Sequence, residues 1–74
     1  MRKLYLTGQV DGEFNGWEGE TIVKLTNRQT WQQSQYYYYY FYFYMPQARI
    51  YTNNGFYEME IVGTNVFIPV TRVY

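Results

Sequence analysis

The chain has 74 residues, and its six basic and six acidic side chains give a formal net charge of zero, with neither cysteine nor histidine present. This composition excludes disulfide bonds, thiolate chemistry and the usual zinc sites, and provides no long-range field to attract nucleic acid or an anionic membrane. A chain this short forms one domain, residues 1–74, and buries only about 60% of its unfolded surface, so we expect its stability to depend on close packing or on a partner.

The first predicted element is a strand over residues 4–10, which ends at the turn-forming pair Asp11-Gly12. Arg2 and Lys3 precede this strand, but the polar residues in the same stretch do not form the apolar segment of a secretory signal. No segment approaches the roughly 20 apolar residues of a membrane helix. Together with the lack of cysteine, this favours a cytoplasmic protein without a membrane partner.

The glycine-rich segment EFNGWEGE predicts a loop rather than a strand. Gly16 and Gly19 flank Trp17 and allow a tight path that folds the aromatic side chains back beneath the end of the sheet. Carboxylates in and beside this loop could supply oxygen ligands to calcium; they are Asp11, Glu13, Glu18 and Glu20. Because their spacing does not match an EF-hand loop, we favour an ordinary acidic loop and expect no metal site.

Two strands follow, over residues 21–26 and 29–35, joined at Asn27-Arg28. A two-residue hairpin turn of type I′ requires positive φ at both central positions, where glycine is preferred. Arg28 is poorly suited to that geometry. The sequence therefore predicts either a longer loop or a strained turn at this point.

Nine consecutive aromatic residues occupy positions 36–44, and the predicted strand runs from Tyr36 to Met45 before Pro46 interrupts the ladder. Its odd face carries Tyr37, Tyr39, Phe41, Phe43 and Met45, and its even face carries Tyr36, Tyr38, Tyr40, Tyr42 and Tyr44. Buried phenols need hydrogen-bond partners, which assigns the odd face to the core. The apolar residues beyond Pro46 have even numbers, however, so either a bulge there reverses the register or the even tyrosines lie inside.

The last strands are predicted over residues 49–52, 56–62 and 66–73, with Asn54-Gly55 at the tip of a hairpin. Six or seven strands predict an all-β fold, a small and strongly bent antiparallel barrel that is SH3-like, with an OB-like barrel as the alternative. Glu58 and Glu60 share one strand face about 7 Å apart, which suits a glycosidase pair, but a solvated face is the favoured interpretation. We expect no enzyme activity and no cofactor.

One aromatic face of the strand over residues 36–45 remains uncovered in either register, and residues 29–48 carry no charge. An exposed patch of this kind favours self-association, as a homo-oligomer, or a protein partner. The alternative is a nucleic-acid or glycan-binding module that stacks its ligand on the same rings. Candidate binding residues are Trp17, Trp31, Tyr36, Tyr38, Tyr40, Tyr42, Tyr44 and Arg49, although the two tryptophans also suit a core.

Three motifs resemble a group of short bacterial proteins of unassigned function. They are GW-x-GET, KLTN-x-Q-x-WQQ and tyrosine at every second position before Pro46, and the resemblance covers about residues 4–57. This chain differs from those proteins at two places. Arg28 occupies what is typically the glycine of an Asn-Gly turn. The odd positions of the aromatic strand, which are typically polar or mixed in those proteins, are here Tyr37, Tyr39, Phe41 and Phe43. The resemblance implies that the even tyrosines belong to the shared plan, and it implies no activity.

Overall fold

The computed structural model describes residues 1–73 and shows eight strands. They are β1 (Lys3–Gln9), β2 (Glu13–Glu18), β3 (Ile22–Lys24), β4 (Thr30–Gln33), β5 (Tyr38–Tyr44), β6 (Gln47–Asn53), β7 (Phe56–Ile61) and β8 (Phe67–Arg72). Within these residues no helix is long and apolar enough to cross a membrane. The all-β prediction is confirmed, and most predicted strands differ from the observed ones only at their ends.

The strands form two antiparallel sheets. One has six strands in the order β1-β6-β7-β8-β4-β3, and the other consists of β2 and β5. The two edge strands of the larger sheet, β1 and β3, approach each other at a single bridge between Val10 and Leu25. Asp11 N–H donates to the Lys24 carbonyl and Thr26 N–H to the Gln9 carbonyl, both at 2.8 Å. Neither sheet closes into a barrel, so the SH3-like or OB-like prediction is not confirmed.

The chain turns a corner between β1 and β2, and another between β5 and β6. At the second corner Met45 has a left-handed φ of 47°, and its N–H donates to the Gly12 carbonyl at 2.8 Å. Val10 N–H donates to the Pro46 carbonyl at 2.9 Å, which ties the two corners together. The inward side changes here from odd to even numbers, because Phe43 packs on the core before the corner and Ala48 is buried after it. A bend at Pro46 therefore reverses the register.

The segment predicted as a glycine-rich loop is instead the strand β2, so that prediction was wrong. Phe14 pairs with Phe43 and Trp17 with Tyr39, which leaves one extra residue on β5 between the two pairs. Gly16 lies within this bulge at a φ of 106°, a conformation that side-chain-bearing residues rarely adopt. The bulge directs both Phe14 and Trp17 into the core, which a regular strand would not do.

The core lies between the two sheets. Its buried side chains are Val10, Phe14, Trp17, Val23, Leu25, Trp31, Ala48, Ile50, Met59, Ile61, Ile68 and Val70. The two-stranded sheet contributes Phe14 and Trp17 to this core, and the inward rings of this sheet contact one another in edge-to-face and tilted arrangements. The Phe14 and Trp17 ring centroids are 5.1 Å apart, and those of Phe14 and Phe41 are 5.6 Å apart. One face of the small sheet is consequently used for folding, and the other is left to solvent.

The hairpin turns follow the predicted chemistry. Asn54 and Gly55 have φ of 53° and 87°, as a type I′ turn requires, and connect β6 to β7. Between β3 and β4, only Arg28 has positive φ, at 73°, and Leu25 N–H donates to the Gln29 carbonyl at 2.9 Å across a three-residue loop. The longer, strained connection replaces the two-residue turn because Arg28 occupies the position at which glycine is favoured.

Candidate functional site: the tyrosine face

The outward side of the small sheet carries a row of five tyrosines, here called the tyrosine face: Tyr36, Tyr38, Tyr40, Tyr42 and Tyr44. Each is between 58% and 91% exposed, and Tyr40 is the most exposed. On the opposite side, Phe41 and Phe43 pack against the core. The assignment of the odd face to the core therefore holds for Phe41 and Phe43, whereas Tyr37 and Tyr39 on the same face are each 42% exposed. The five even tyrosines are more exposed than either of them and form the main surplus aromatic surface.

A buried glutamine fixes the approach of the chain to β5. The Gln33 Nε2 amide donates to the Gln35 carbonyl at 2.8 Å and to the Tyr37 carbonyl at 3.0 Å. Its Oε1 accepts from Thr21 N–H at 3.4 Å. Because both ends of this side chain are hydrogen-bonded to the main chain, the segment between β4 and β5 is held in place. Gln33 is buried and positions the segment that leads into the tyrosine face without being part of that face.

The absence of a side chain at Gly19 allows the first tyrosine ring to approach the main chain just beyond the end of β2. A Cβ at this position would be 2.6 Å from Cε1 of Tyr36 and 3.3 Å from the Tyr38 hydroxyl. The Tyr36 and Tyr38 rings follow one another at a centroid distance of 6.4 Å. Gly19 therefore positions the start of the tyrosine face by allowing close approach, in addition to its positive φ of 97°.

Carboxylates lie beside the phenols. The Tyr42 hydroxyl donates to Oε1 of Glu13 at 3.2 Å. Partial desolvation and this hydrogen bond raise the pKa of Tyr42 above its ordinary value. The negative charge of Glu20 is the main cause of a raised pKa at Tyr36. Both shifts have the same sign because an adjacent carboxylate opposes the formation of a phenolate.

A concavity of about 420 Å³ opens on this sheet and is lined by Trp17, Glu18, Tyr38, Tyr39 and Tyr40. Glu18 pairs with Tyr38 across the two strands, whereas Gly16 pairs with Tyr40. The concavity thus combines aromatic rings with a carboxylate.

The two tryptophans predicted as binding residues belong to the core instead. Trp17 and Trp31 are each 1% exposed. The Trp31 Nε1–H donates to Oε1 of Gln29 at 3.2 Å, whereas Trp17 Nε1 has no hydrogen-bond partner among residues 1–73. Both tryptophans are therefore removed from the set of accessible candidate binding side chains.

Arg49 lies in a different group of residues, on the six-stranded sheet. Its Nη1 is 3.9 Å from Oε1 of the buried Glu60, which also accepts from the Tyr51 hydroxyl at 3.2 Å. Arg2 forms a two-point pair with Glu58, with Nε to Oε1 at 2.9 Å and Nη2 to Oε2 at 3.4 Å. Each carboxylate of the pair considered for glycosidase chemistry is thus engaged by a cation, and Arg49 is part of this network rather than of the tyrosine face.

The acidic residues near β2 do not form a metal-binding cluster, since no three of them come together in the part of the chain that the structure describes. Comparisons with known proteins add no relationship: no protein-family model, curated protein or solved structure matches this chain. Geometry and charge are therefore the basis for functional reasoning about the tyrosine face.

Proposed function

We propose that this protein is a non-enzymatic interaction module that associates with itself through the free edge of β5. The observation that carries the proposal is the pairing of β5: within residues 1–73 it pairs with β2 alone, which leaves its other edge open. A strand edge with unpaired N–H and C=O groups is a template for another strand. Residues 29–48 contain no charged side chain that would blunt this edge.

The direction of the peptide groups supports pairing on this side. Met45 N–H donates toward β2, to the Gly12 carbonyl. In an extended strand the N–H and C=O of one residue point to the same edge, and those of the next residue point to the opposite edge. The N–H and C=O of Tyr44 therefore point away from β2. These groups are available to a second copy of β5 that runs antiparallel to the first.

Edge pairing is favoured over stacking of two tyrosine faces. Glu13 and Glu18 belong to β2 and Glu20 follows this strand, and residues 11–23 and 29–48 contain no lysine or arginine. Two such faces in contact would bring like charges together without compensating cations. The same carboxylates repel phosphate groups, so they do not favour the nucleic-acid alternative.

The proposal also concerns the fold. We propose that the six-stranded sheet is an incompletely closed SH3-like barrel whose edge strands β1 and β3 meet only at the Val10–Leu25 bridge, and that β2 and β5 extend from its open side. Support comes from the two main-chain hydrogen bonds that flank this bridge. In that arrangement the small sheet provides one surface to the core and one edge to a second copy.

Sedimentation equilibrium at micromolar concentration tests the association, with Tyr44→Pro compared against Tyr44→Ala. Proline removes an N–H that points to the free edge and should be tolerated by the β2–β5 ladder. We expect the native chain and Tyr44→Ala to associate and Tyr44→Pro to be monomeric, with circular dichroism reporting that all three fold. In the native chain, slower hydrogen exchange at Tyr44 N–H with rising concentration is an independent readout. A native chain that remains strictly monomeric contradicts the proposal.

A further inference from the structure

We propose that the tyrosine face binds an extended, cationic segment of a partner protein, with one arginine or lysine head in the concavity beside Glu18. The inference is independent of self-association, because it concerns the outward face of the small sheet and not the edge of β5. It rests on the charge and shape of this face.

The charge of the small sheet has a single sign. In the small sheet, β2 carries Glu13 and Glu18 and β5 carries no charged residue, so neither strand contains a lysine or arginine. Glu20 follows β2 and lies beside Tyr36. The acidic residues of β7, in contrast, are paired with Arg2 and Arg49. The neutral net charge of the protein therefore conceals an anionic surface on one sheet, which is complementary to a cationic ligand.

The aromatic rings reinforce this preference. The face of a tyrosine ring attracts a lysine or arginine head placed within about 6 Å of its centroid. Tyr38 and Tyr40 line the same concavity as Glu18, so a cation there meets both ring surfaces and a carboxylate. An anionic or neutral ligand would gain binding free energy only from stacking on the rings, without attraction to the carboxylate.

The spacing of the face indicates an extended peptide rather than a small ammonium ion. Tyrosines at alternate positions of a strand repeat every ~6.6 Å, which is also the spacing of alternate side chains in an extended peptide. The row from Tyr38 to Tyr44 is longer than any single side chain and continues beyond the concavity. Additional cationic side chains of the same segment can therefore lie along it.

Titration of the intact chain with a fluorescent (Arg-Ser)4 peptide tests the proposal, with (Glu-Ser)4 and an oligothymidine strand as competing ligand classes. We expect the arginine peptide to bind at low salt and to lose affinity as salt screens the carboxylates. Absence of (Arg-Ser)4 binding at low salt, or stronger binding of either other probe, would overturn the proposal.

Matched variants separate the site from general charge attraction. Tyr40→Leu should weaken binding about two- to fivefold, because it removes an exposed ring, whereas Tyr40→Phe should retain the affinity. Glu18→Gln should weaken binding by a similar factor. Glu58→Gln makes the same change in net charge on the larger sheet and should have no effect. Equal affinity of Glu18→Gln and Glu58→Gln for the peptide would show that no site exists beside Glu18.

Discussion

Substitution of Gly16 by alanine tests whether the bulge between β2 and β5 holds the small sheet on the core. A Cβ at this position would lie 2.2 Å from the Tyr39 carbonyl oxygen and 3.1 Å from Phe41 N. These neighbours are main-chain atoms of β5, so they cannot turn away as a side chain could. The two strands would have to separate locally, which would disturb the packing of Phe14 and Trp17.

Gly12 offers a control with nearly the same backbone conformation. The φ angles of Gly12 and Gly16 are 103° and 106°, but a Cβ at Gly12 would meet nothing within 4 Å. Gly12→Ala should cost about 1–3 kcal/mol from backbone strain. Gly16→Ala carries the same strain and, in addition, a steric overlap worth about 1–3 kcal/mol. For a chain of this size that difference lowers the melting temperature by a further ~5–20 °C.

Urea unfolding of the two variants and the native chain measures this difference. The total free energy of unfolding is expected to be roughly 4–11 kcal/mol, so Gly16→Ala should remove a large part of it. Equal losses of stability for Gly12→Ala and Gly16→Ala would refute the reasoning, since they would show that the close approach of β2 and β5 does not constrain this position.

Two further predictions concern hydrogen bonds. In urea unfolding, Trp17→Phe should lower the free energy of unfolding by about 1–3 kcal/mol less than Trp31→Phe. Trp17→Phe removes a buried N–H without a described partner, whereas Trp31→Phe removes the hydrogen bond to Gln29. Equal losses of stability would contradict this prediction. Glu13→Gln should lower the pKa of Tyr42 toward the ordinary value of 10.0. NMR titration of labelled tyrosine measures this pKa. An unchanged pKa would contradict the role of the Glu13 carboxylate. Because that pKa is raised in the native chain, the stabilisation by neutral Tyr42 is complete below pH 10.0 and is lost as the pH rises through the raised value.

The sequence favoured one face of β5 as the inward face but did not decide between the two registers. The absence of hydroxyls on Phe41 and Phe43 indicated the side that packs on the core in the structure. The opposite parity beyond Pro46 could not be interpreted alone, because a one-residue change of register exchanges all side chains between faces. The left-handed conformation of Met45 resolves the conflict, and a methionine gives no sequence signal for it.

The missed strand β2 has a different cause. Three glycines lie between positions 12 and 19, and they predict a loop if each is interpreted as a turn residue. In the structure, Gly16 and Gly19 are needed because β5 and the Tyr36 ring lie too close for a side chain. Sequence alone does not distinguish a glycine that permits a turn from one that permits contact between strands. The carboxylate-rich tyrosine face was missed for the same reason, since its acids were assigned to a loop.

The packing of the six-stranded sheet and the small sheet around one core accounts for the exposed tyrosines. A strand at the surface of a single core can bury only one of its faces, and β5 buries the face that carries Phe41 and Phe43. The five even tyrosines therefore contribute little to the packing of this chain, while their rings and the adjacent Glu13, Glu18 and Glu20 remain accessible. Removal of one exposed ring, as in Tyr40→Leu, should consequently change ligand affinity without a comparable loss of stability, whereas substitution of the buried Gly16 should lower stability directly.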